Sequence, residues 1–458
     1  MYSLDDTIAA IATSIGHSGI GIVKISGPEA RDIARQLFRS ARGITDFRPY
    51  RLHYGQIVDP ATNSPVDEAL VAFMPKPLTY TRQDIVEIQA HGGIVPLRKI
   101  LQLTLGLGAR LAEPGEMTLR AFLNGRLDLA QAEAVLDVIE AKTEAALRVA
   151  NEQLSGTLSA QVSKVRATLL DTLAFLEASI DFVEDEIPPQ DVAGPLTAVT
   201  VRLEKLLQSA DHGLIYRQGV RAAIVGRPNV GKSSLLNALL RGNRAIVTSI
   251  PGTTRDTLEE TVNVGGIPIV LVDTAGIRAE VIDEVERIGV DRSRAALERA
   301  DVALMVIDGS SKLENSDWEI GELVGHKPGL LIINKNDLTV KPPPEMLTDF
   351  LPATPRISIS ALTNEGIDRL EKALVDLVIG GKVTIADTPL VSNPRHKALL
   401  QQALEHTRAA ITANEAGLSA DLVSIDVRAA VEALGEITGE TVTEDLLETI
   451  FSNFCIGK

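Results

Sequence analysis

The residues Gly226-Arg227-Pro228-Asn229-Val230-Gly231-Lys232-Ser233 fit the spacing G-x-x-x-x-G-K-[ST]. An apolar run, Ala222-Ala223-Ile224-Val225, comes before them and reads as a buried strand, and Ser234 to Leu240 comes after and reads as a helix. Strand, loop and helix in that order are the context the motif requires. Its glycines let successive N–H groups face one phosphate at the positive end of a helix. This commits the middle of the chain to an α/β sheet with strands and helices in alternation. Lys232 would reach the outer phosphates, and the Ser233 hydroxyl would hold magnesium.

The base is readable as well. Leu330-Leu331-Ile332-Ile333 reads as another buried strand and runs into Asn334-Lys335-Asn336-Asp337, the N-K-x-D pattern of guanine-nucleotide proteins. A carboxylate at Asp337 accepts from both the ring N–H and the exocyclic amine of guanine, a pair adenine does not offer. The tetrapeptide is weak alone but specific roughly 100 residues downstream of a phosphate loop. Ser360-Ala361, after the strand-like Arg356 to Ile359, resembles the last guanine contact of such proteins. Ile269 to Val272 leads into Asp273-Thr274-Ala275-Gly276, where Asp273 would sit at the magnesium and the Gly276 N–H would sense the γ-phosphate. In Gly252-Thr253-Thr254-Arg255-Asp256, Thr254 is the candidate second magnesium ligand, on a loop that orders around the γ-phosphate. Ras-like switches place a glutamine after D-x-x-G to orient water, but here that position is Ile277. Asp283-Glu284-Val285-Glu286-Arg287 follows, and a carboxylate there could do the orienting. By spacing alone, a solvated helix face with pairs such as Asp283–Arg287 is the better reading.

The 458 residues are enough for about three domains. With 45% hydrophobic and 23% charged residues the composition is that of a soluble globular protein, and no apolar run is long enough to span a membrane. The first residues lack the basic and apolar regions of a signal peptide, and a single cysteine excludes an internal disulfide, so the expected location is cytoplasmic. Net charge is −16, which argues against nucleic-acid binding by the whole surface. The charge is uneven: residues 1–126 carry 14 Lys+Arg against 12 Asp+Glu, or +2, which leaves −18 for the rest. Any nucleic-acid surface would be local or shared with a partner.

β-like runs at Ile20 to Ile25, Glu68 to Phe73 and Asp84 to Ile88, with helical stretches near 28–40 and 94–107, predict an α+β domain over residues 1–118. Helical spacing from Leu127 onward, and a further helix near 193–210, predict the first part of an all-α domain over 119–216. The nucleotide domain is expected over 217–381. The helical texture then returns over 382–458, in Arg395 to Asn414, Leu418 to Leu434 and Thr443 to Phe451. The economical reading is a helical domain interrupted by an inserted α/β domain. The sequence closes on Phe454-Cys455-Ile456-Gly457-Lys458. A lone cysteine there usually reads as an exposed thiol, although Lys458 nearby could raise its thiolate fraction.

These features coincide with a known pattern. Asp5 to Ala10, Gln89-Ala90-His91-Gly92-Gly93, Pro114-Gly115-Glu116, Ala121 to Asn124, Asp128 to Ala134, Ile437-Thr438-Gly439-Glu440 and the closing C-I-G-K together resemble the MnmE (TrmE) family of tRNA-modification GTPases along essentially the whole chain. The fold class so implied is multidomain: an α+β folate-binding-like N-terminal domain that carries a homodimer, an all-α domain, and an inserted α/β P-loop GTPase domain. Such proteins act with a flavin (FAD) partner, MnmG (GidA), in a heterotetramer or larger complex. They build a carboxymethylaminomethyl or aminomethyl group on C5 of the wobble uridine of certain tRNAs. A 5-formyl- or methylenetetrahydrofolate supplies the one-carbon unit.

The resemblance carries over residue by residue. It implies folate contacts at Lys24, where the family more often has arginine, and at Glu87, Arg126 and Lys458, with Cys455 at the modification chemistry. It implies nucleotide contacts at Asn229, Val230, Gly231, Lys232, Ser233 and Ser234, at Thr248, Ser249, Ile250, Pro251, Gly252, Thr253 and Thr254, at Asp273, Thr274, Ala275 and Gly276, and at Asn334, Lys335, Asp337, Ser360 and Ala361. Potassium, held by Asn229, Thr248, Ile250 and Thr253, would replace an arginine finger when two nucleotide domains meet. Magnesium would be held by Ser233 and Thr254, and the family's water-orienting glutamate falls on Glu286. The rival reading is a potassium-activated switch in ribosome assembly. Relatives with that role lack the folate-like domain and the closing cysteine.

Overall fold

The computed structural model describes residues 5–43, 46–181, 191–243, 260–272, 286–338, 349–380 and 391–458. They form two compact units. One contains Met1–Leu136, Leu154–Leu196 and His406–Lys458, the other Asp137–Gln153 and Thr197–Glu405.

The first unit opens with β1 (Ile8–Ile11), β2 (Gly21–Ser26), α1 (Ala30–Leu37), β3 (Phe38–Ser40), β4 (Leu52–Val58), β5 (Pro65–Met74), β6 (Ile85–Ala90), α2 (Ile94–Gly106), β7 (Arg110–Leu111) and α3 (Glu116–Leu123). The strands make one sheet in the order β3-β4-β5-β6-β2-β1-β7, antiparallel except for the β1–β7 pair. Alternation decides which face is core. Val23 and Ile25 of β2, Val86 and Ile88 of β6 and Val71 of β5 pack against Ile33 and Leu37 of α1 and Leu97 and Ile100 of α2. The residues between them, Lys24, Glu87, Gln89 and Tyr54, line the opposite face. The expected helix over 28–40 stops at Leu37, because Phe38 turns extended (φ −101°, ψ 136°) and continues as an edge strand paired to β4.

Helices follow: α4 (Leu129–Glu140), α5 (Glu144–Leu154), α6 (Thr157–Asp181), α7 (Ala193–Gln208) and α8 (Ala210–Gln218). The helix expected over 193–210 is α7, and a further helix not expected, α8, starts after Ser209.

The second sheet contains β8 (Val220–Val225), followed by α9 (Lys232–Asn243), β9 (Glu260–Val264), β10 (Ile267–Val272), α10 (Glu286–Arg299), β11 (Val302–Asp308), α11 (Asn315–Val324), β12 (Gly329–Asn334), β13 (Arg356–Ser358) and α12 (Ile367–Ile379). Its order is β13-β12-β11-β8-β10-β9. All neighbours are parallel except β9, which returns antiparallel on β10. The two-residue Gly265-Gly266 connection allows only that return, since a parallel strand needs a long crossover. The central strands are apolar along their length because both faces are covered. Ile224, Leu304 and Ile332 pack with Leu235, Leu239, Leu370 and Leu374, while Val225, Met305 and Leu331 pack with Leu297, Ile320 and Phe350.

The chain ends in α13 (Pro394–Glu415), α14 (Ala420–Thr438) and α15 (Glu444–Phe451). Within the first unit α14 packs along α6, and Arg166 of α6 donates to the Val431 carbonyl at 3.3 Å. α15 packs on α3 through Phe451, Leu447 and Leu119. No described helix is long and apolar enough to cross a membrane.

Candidate functional sites

β8 lies between β11 and β10: the chain leaving β8 passes to β9 and β10 on one side, and the chain leaving β11 passes to β12 on the other. The carboxyl ends of strands at such a switch point are where α/β sheets take ligands. The loop 226–231 sits there, ahead of α9. Asn229 adopts a left-handed φ of 64° and Gly231 a φ of 98°. A Cβ at Gly231 would come within 2.2 Å of Asn334 Nδ2, so no side chain fits between the loop and the end of β12. This is a cradle of bare backbone, which suits a phosphate. Lys232 Nζ donates to the Arg227 carbonyl at 2.7 Å. Ser233 and Ser234 stand in the first turn of α9, where the helix dipole favours an anion.

Asn334 joins three motifs. Its Nδ2 donates to the Val230 carbonyl at 2.9 Å, and its Oδ1 accepts from the Ala361 N–H at 3.0 Å. At 3% exposure these bonds are shielded from water. Ser360 is buried, and its N–H donates to the Glu365 carbonyl at 2.9 Å. Lys335, at φ 66°, pairs through Nζ with Asp308 Oδ2 at 2.6 Å. Burial works to raise the Asp308 carboxyl, but Lys335 and Ser310 outweigh it and hold it below the usual carboxylate range. Asp337 is exposed. Thr248, Ser249, Ile250, Pro251, Gly252, Thr253, Thr254, Asp273, Thr274, Ala275 and Gly276 lie outside the described residues. So does the side chain of Glu286, whose backbone opens α10.

In the first unit, Lys24 of β2 and Glu87 of β6 are register partners, with Nζ 3.7 Å from Oε1. Burial holds the Lys24 ammonium below its ordinary range, Glu87 opposes the shift, and the positive charge of Lys458 adds to it. The positive charge of Lys458 is thus felt at Lys24, beside Glu87. A cavity of about 210 Å³ opens on the same sheet face, lined by Tyr54, Glu68, Leu70, Gln89 and His91 among others.

Residues 455–458 reach this region by backbone bonds. Ile456 bridges Pro114, the Met117 N–H donates to the Lys458 carbonyl at 3.1 Å, and the Gly115 N–H reaches the Cys455 carbonyl at 3.5 Å. Gly457 has φ 92°, and a Cβ there would meet the Ile11 carbonyl at 2.7 Å. Cys455 is exposed. The Arg126 guanidinium lies 4.7 Å from the centre of the Tyr80 ring, and Tyr80 packs on the cluster that includes Met117. Of the four residues matched to a folate, Lys24 and Glu87 pair across β2 and β6 and the charge of Lys458 is felt at Lys24, while Arg126 stands on Tyr80 past the end of α3.

What holds α3 is a buried ion network. Arg120, 1% exposed, reaches Asp6 and, at 3.0 Å, Glu116; Arg110 reaches Glu116 at 2.6 Å and Asp6 at 2.8 Å. Burial works against the charged Glu116 carboxylate, but Arg110, the Glu113 N–H and Arg120 together hold its pKa below the usual range. This network is absent from the sequence reading, because Asp6, Arg110 and Arg120 carry no local pattern. Asp308 was missed too, although the apolar run Val302 to Ile307 that it ends was a usable signal.

A phosphate loop at the switch point of a parallel sheet, tied through Asn334 to an N-K-x-D turn, defines the class: a P-loop protein with a guanine-nucleotide type of site. Two family models match, that of the MnmE helical domain over residues 129–455 and that of the GTP-binding protein TrmE N-terminus over residues 7–126. Proteins named tRNA modification GTPase MnmE are similar from end to end. That of Roseiflexus sp. (strain RS-1) is 50% identical over 467 residues, covering 99% of each chain. That of Roseiflexus castenholzii is 51% identical over 466 residues, with 99% of each chain covered. That of Alkaliphilus metalliredigens is 49% identical over 460 residues, covering 99% of this chain and all of the relative. The chain belongs to the MnmE family of tRNA modification GTPases.

Proposed function

We propose that this chain binds and hydrolyses GTP, and that hydrolysis serves the modification of C5 of the wobble uridine in certain tRNAs. The observation that carries the reading is the docking of residues 455–458 on Pro114, Gly115 and Met117, with the Lys458 charge felt at the Lys24–Glu87 pair, in a chain that also holds a guanine-nucleotide site. A switch without modification chemistry has no use for that docking.

In the nucleotide site, Lys232 and the first turn of α9 hold the phosphates, Asp337 accepts from guanine, and Asn334 fixes the two loops in register. Ser233 and Thr254 would hold magnesium, and Asn229, Thr248, Ile250 and Thr253 would hold a potassium ion, whose chemistry would be positive charge offered to the phosphates when two nucleotide domains meet. Glu286 orients the attacking water. In the N-terminal site, Lys24 and Lys458 attract the carboxylates of a reduced folate, Glu87 accepts from its pterin N–H groups, and Arg126 on Tyr80 offers a second cation. A bound folate supplies the one-carbon unit. Cys455 lies at the modification chemistry, and a flavin partner of the MnmG type supplies the redox step. The domain division that goes with this reading is 1–118 for folate and homodimer formation, 119–216 and 382–458 for the helical domain, and 217–381 for GTP. The chain acts in the cytoplasm.

The test is mass spectrometry of wobble nucleosides in total tRNA from a strain lacking this protein. The strain is complemented with the wild type or with Cys455→Ser. The expected outcome is that the wild type restores the C5-modified uridines and Cys455→Ser does not. A deletion that loses no modified uridine overturns the reading in favour of a switch.

A further inference from the structure

The phosphate loop is braced by a residue that the motif leaves unspecified. Arg227 occupies the first free position of G-x-x-x-x-G-K-S, and its side chain is only 14% exposed. Its guanidinium points away from the loop, toward the segment that joins β11 to α11. There Nη2 donates to Ser311 Oγ at 2.6 Å, Nη1 donates to Glu314 Oε1, and Nε stands 3.3 Å from Asp317 Oδ2. Asp317 is 1% exposed and lies in the first turn of α11, where it also accepts the Glu314 N–H at 3.0 Å. The other end of Arg227 faces the site, since its carbonyl is the acceptor of Lys232 Nζ. One residue thus links the helix start to the perch of the phosphate-binding lysine.

We propose that Arg227 is a positioning residue of the nucleotide site, seated by Ser311, Glu314 and Asp317, and that this seat sets where Lys232 meets the phosphates. The proposal rests on reading residues 226–233 as a phosphate loop. Arginine suits the task because its planar fork reaches several acceptors at once; a lysine ammonium meets them only as a point charge. Lys232 contacts phosphate before and during the reaction, so misplacing it weakens binding in both states. The Michaelis constant then rises while kcat changes little.

The test uses the full chain and compares the wild type with Arg227→Ala, Arg227→Lys, Asp317→Asn and the double variant Arg227→Ala/Asp317→Asn. GDP affinity is measured by calorimetry and GTP turnover by phosphate release. Trp318, the only tryptophan of the chain, adjoins Asp317 and packs edge-on against Phe350, so its emission reports whether the start of α11 is intact. The expected result is a loss of GDP affinity and a rise in KM of about tenfold for Arg227→Ala, the scale of one hydrogen bond to a charged group. Along with this, kcat stays within about threefold, lysine gives no rescue, and the double variant is no worse than Arg227→Ala. If Arg227→Ala shifts the Trp318 emission, the isosteric Asp317→Asn carries the test alone, with the same split between KM and kcat. Unchanged GDP affinity in Arg227→Ala and Asp317→Asn, rescue by lysine, or additive losses overturn the proposal. A wild type that does not bind GDP overturns instead the reading of the loop itself.

Discussion

At the nucleotide site, the backbone that would cradle a phosphate is braced from adjoining strand ends. The loop after β8 is held by Asn334 at the end of β12 and by the Arg227 side chain lodged in the segment after β11. At the N-terminal site, the bracing comes from far along the chain. Lys458 meets Met117, Ile456 meets Pro114, and Arg120 meets Asp6. The first arrangement repeats what any parallel sheet brings together at its carboxyl edge. The second depends on charges that no sheet geometry requires, so a single lost partner should be felt more strongly there.

The largest effect should come from that network. Arg120→Leu removes the buried one of the two arginines that pair with Glu116 and Asp6, leaving Arg110 on both, and should destabilise the first unit by up to about 3 kcal/mol, the low end for breaking a buried ion pair. Amide exchange should quicken in β1 and α3 but not in β8. Equal quickening in both sheets would break the contrast. The same network gives a pH signature. Glu116 and Asp6 are held below their ordinary values in the fold, so their stabilisation is complete above the unfolded carboxyl range of about pH 4. It is lost as the pH falls through the folded values, and the first unit should therefore loosen in acid.

Asn334→Ala comes next. It leaves the Val230 carbonyl and the Ala361 N–H buried without their partner, a loss of about 1–3 kcal/mol. GDP affinity should fall roughly 10- to 100-fold, with exchange in β1 unaffected. An unchanged affinity would mean that the loop is held by its own conformation. The smallest effect is expected for Gly457→Ala. A left-handed alanine costs about 1–2 kcal/mol, and its Cβ meets the Ile11 carbonyl. Exchange at the Met117 N–H should rise about tenfold. If it does not, residues 455–458 are held by Ile456 alone.

The same contrast explains what could be read from the sequence. Asn229 to Ser234 and Asn334 to Asp337 are short patterns beside apolar runs, and β8, β10, β12 and β13 appear where those runs predict strands. β9 departs from the expected alternation of strands and helices, because a Gly-Gly pair inside an alternating run is a hairpin signal and outweighs the βα rhythm. β3 was hidden inside a helical pattern, since Phe38 satisfies either periodicity and only its pairing with Ile57 decides. Lys24, Glu87, Arg126 and Lys458 were found through family resemblance. No local rule links a strand residue to one more than 400 positions away. The ion network around Arg120 was invisible for the same reason.

The docking of residues 455–458 also has a consequence in time. A ribosome that adds about 5–20 residues per second exposes Lys24 and Glu87 first, and the segment that meets them emerges roughly 20–90 s later. During that interval the first sheet already has all seven of its strands, so it can form with its last contact missing. The nucleotide sheet is also synthesised whole in the meantime. Assembly of the N-terminal site therefore comes after synthesis of the nucleotide sheet, and a nascent chain that has only its first domain cannot display it, however well that domain has folded.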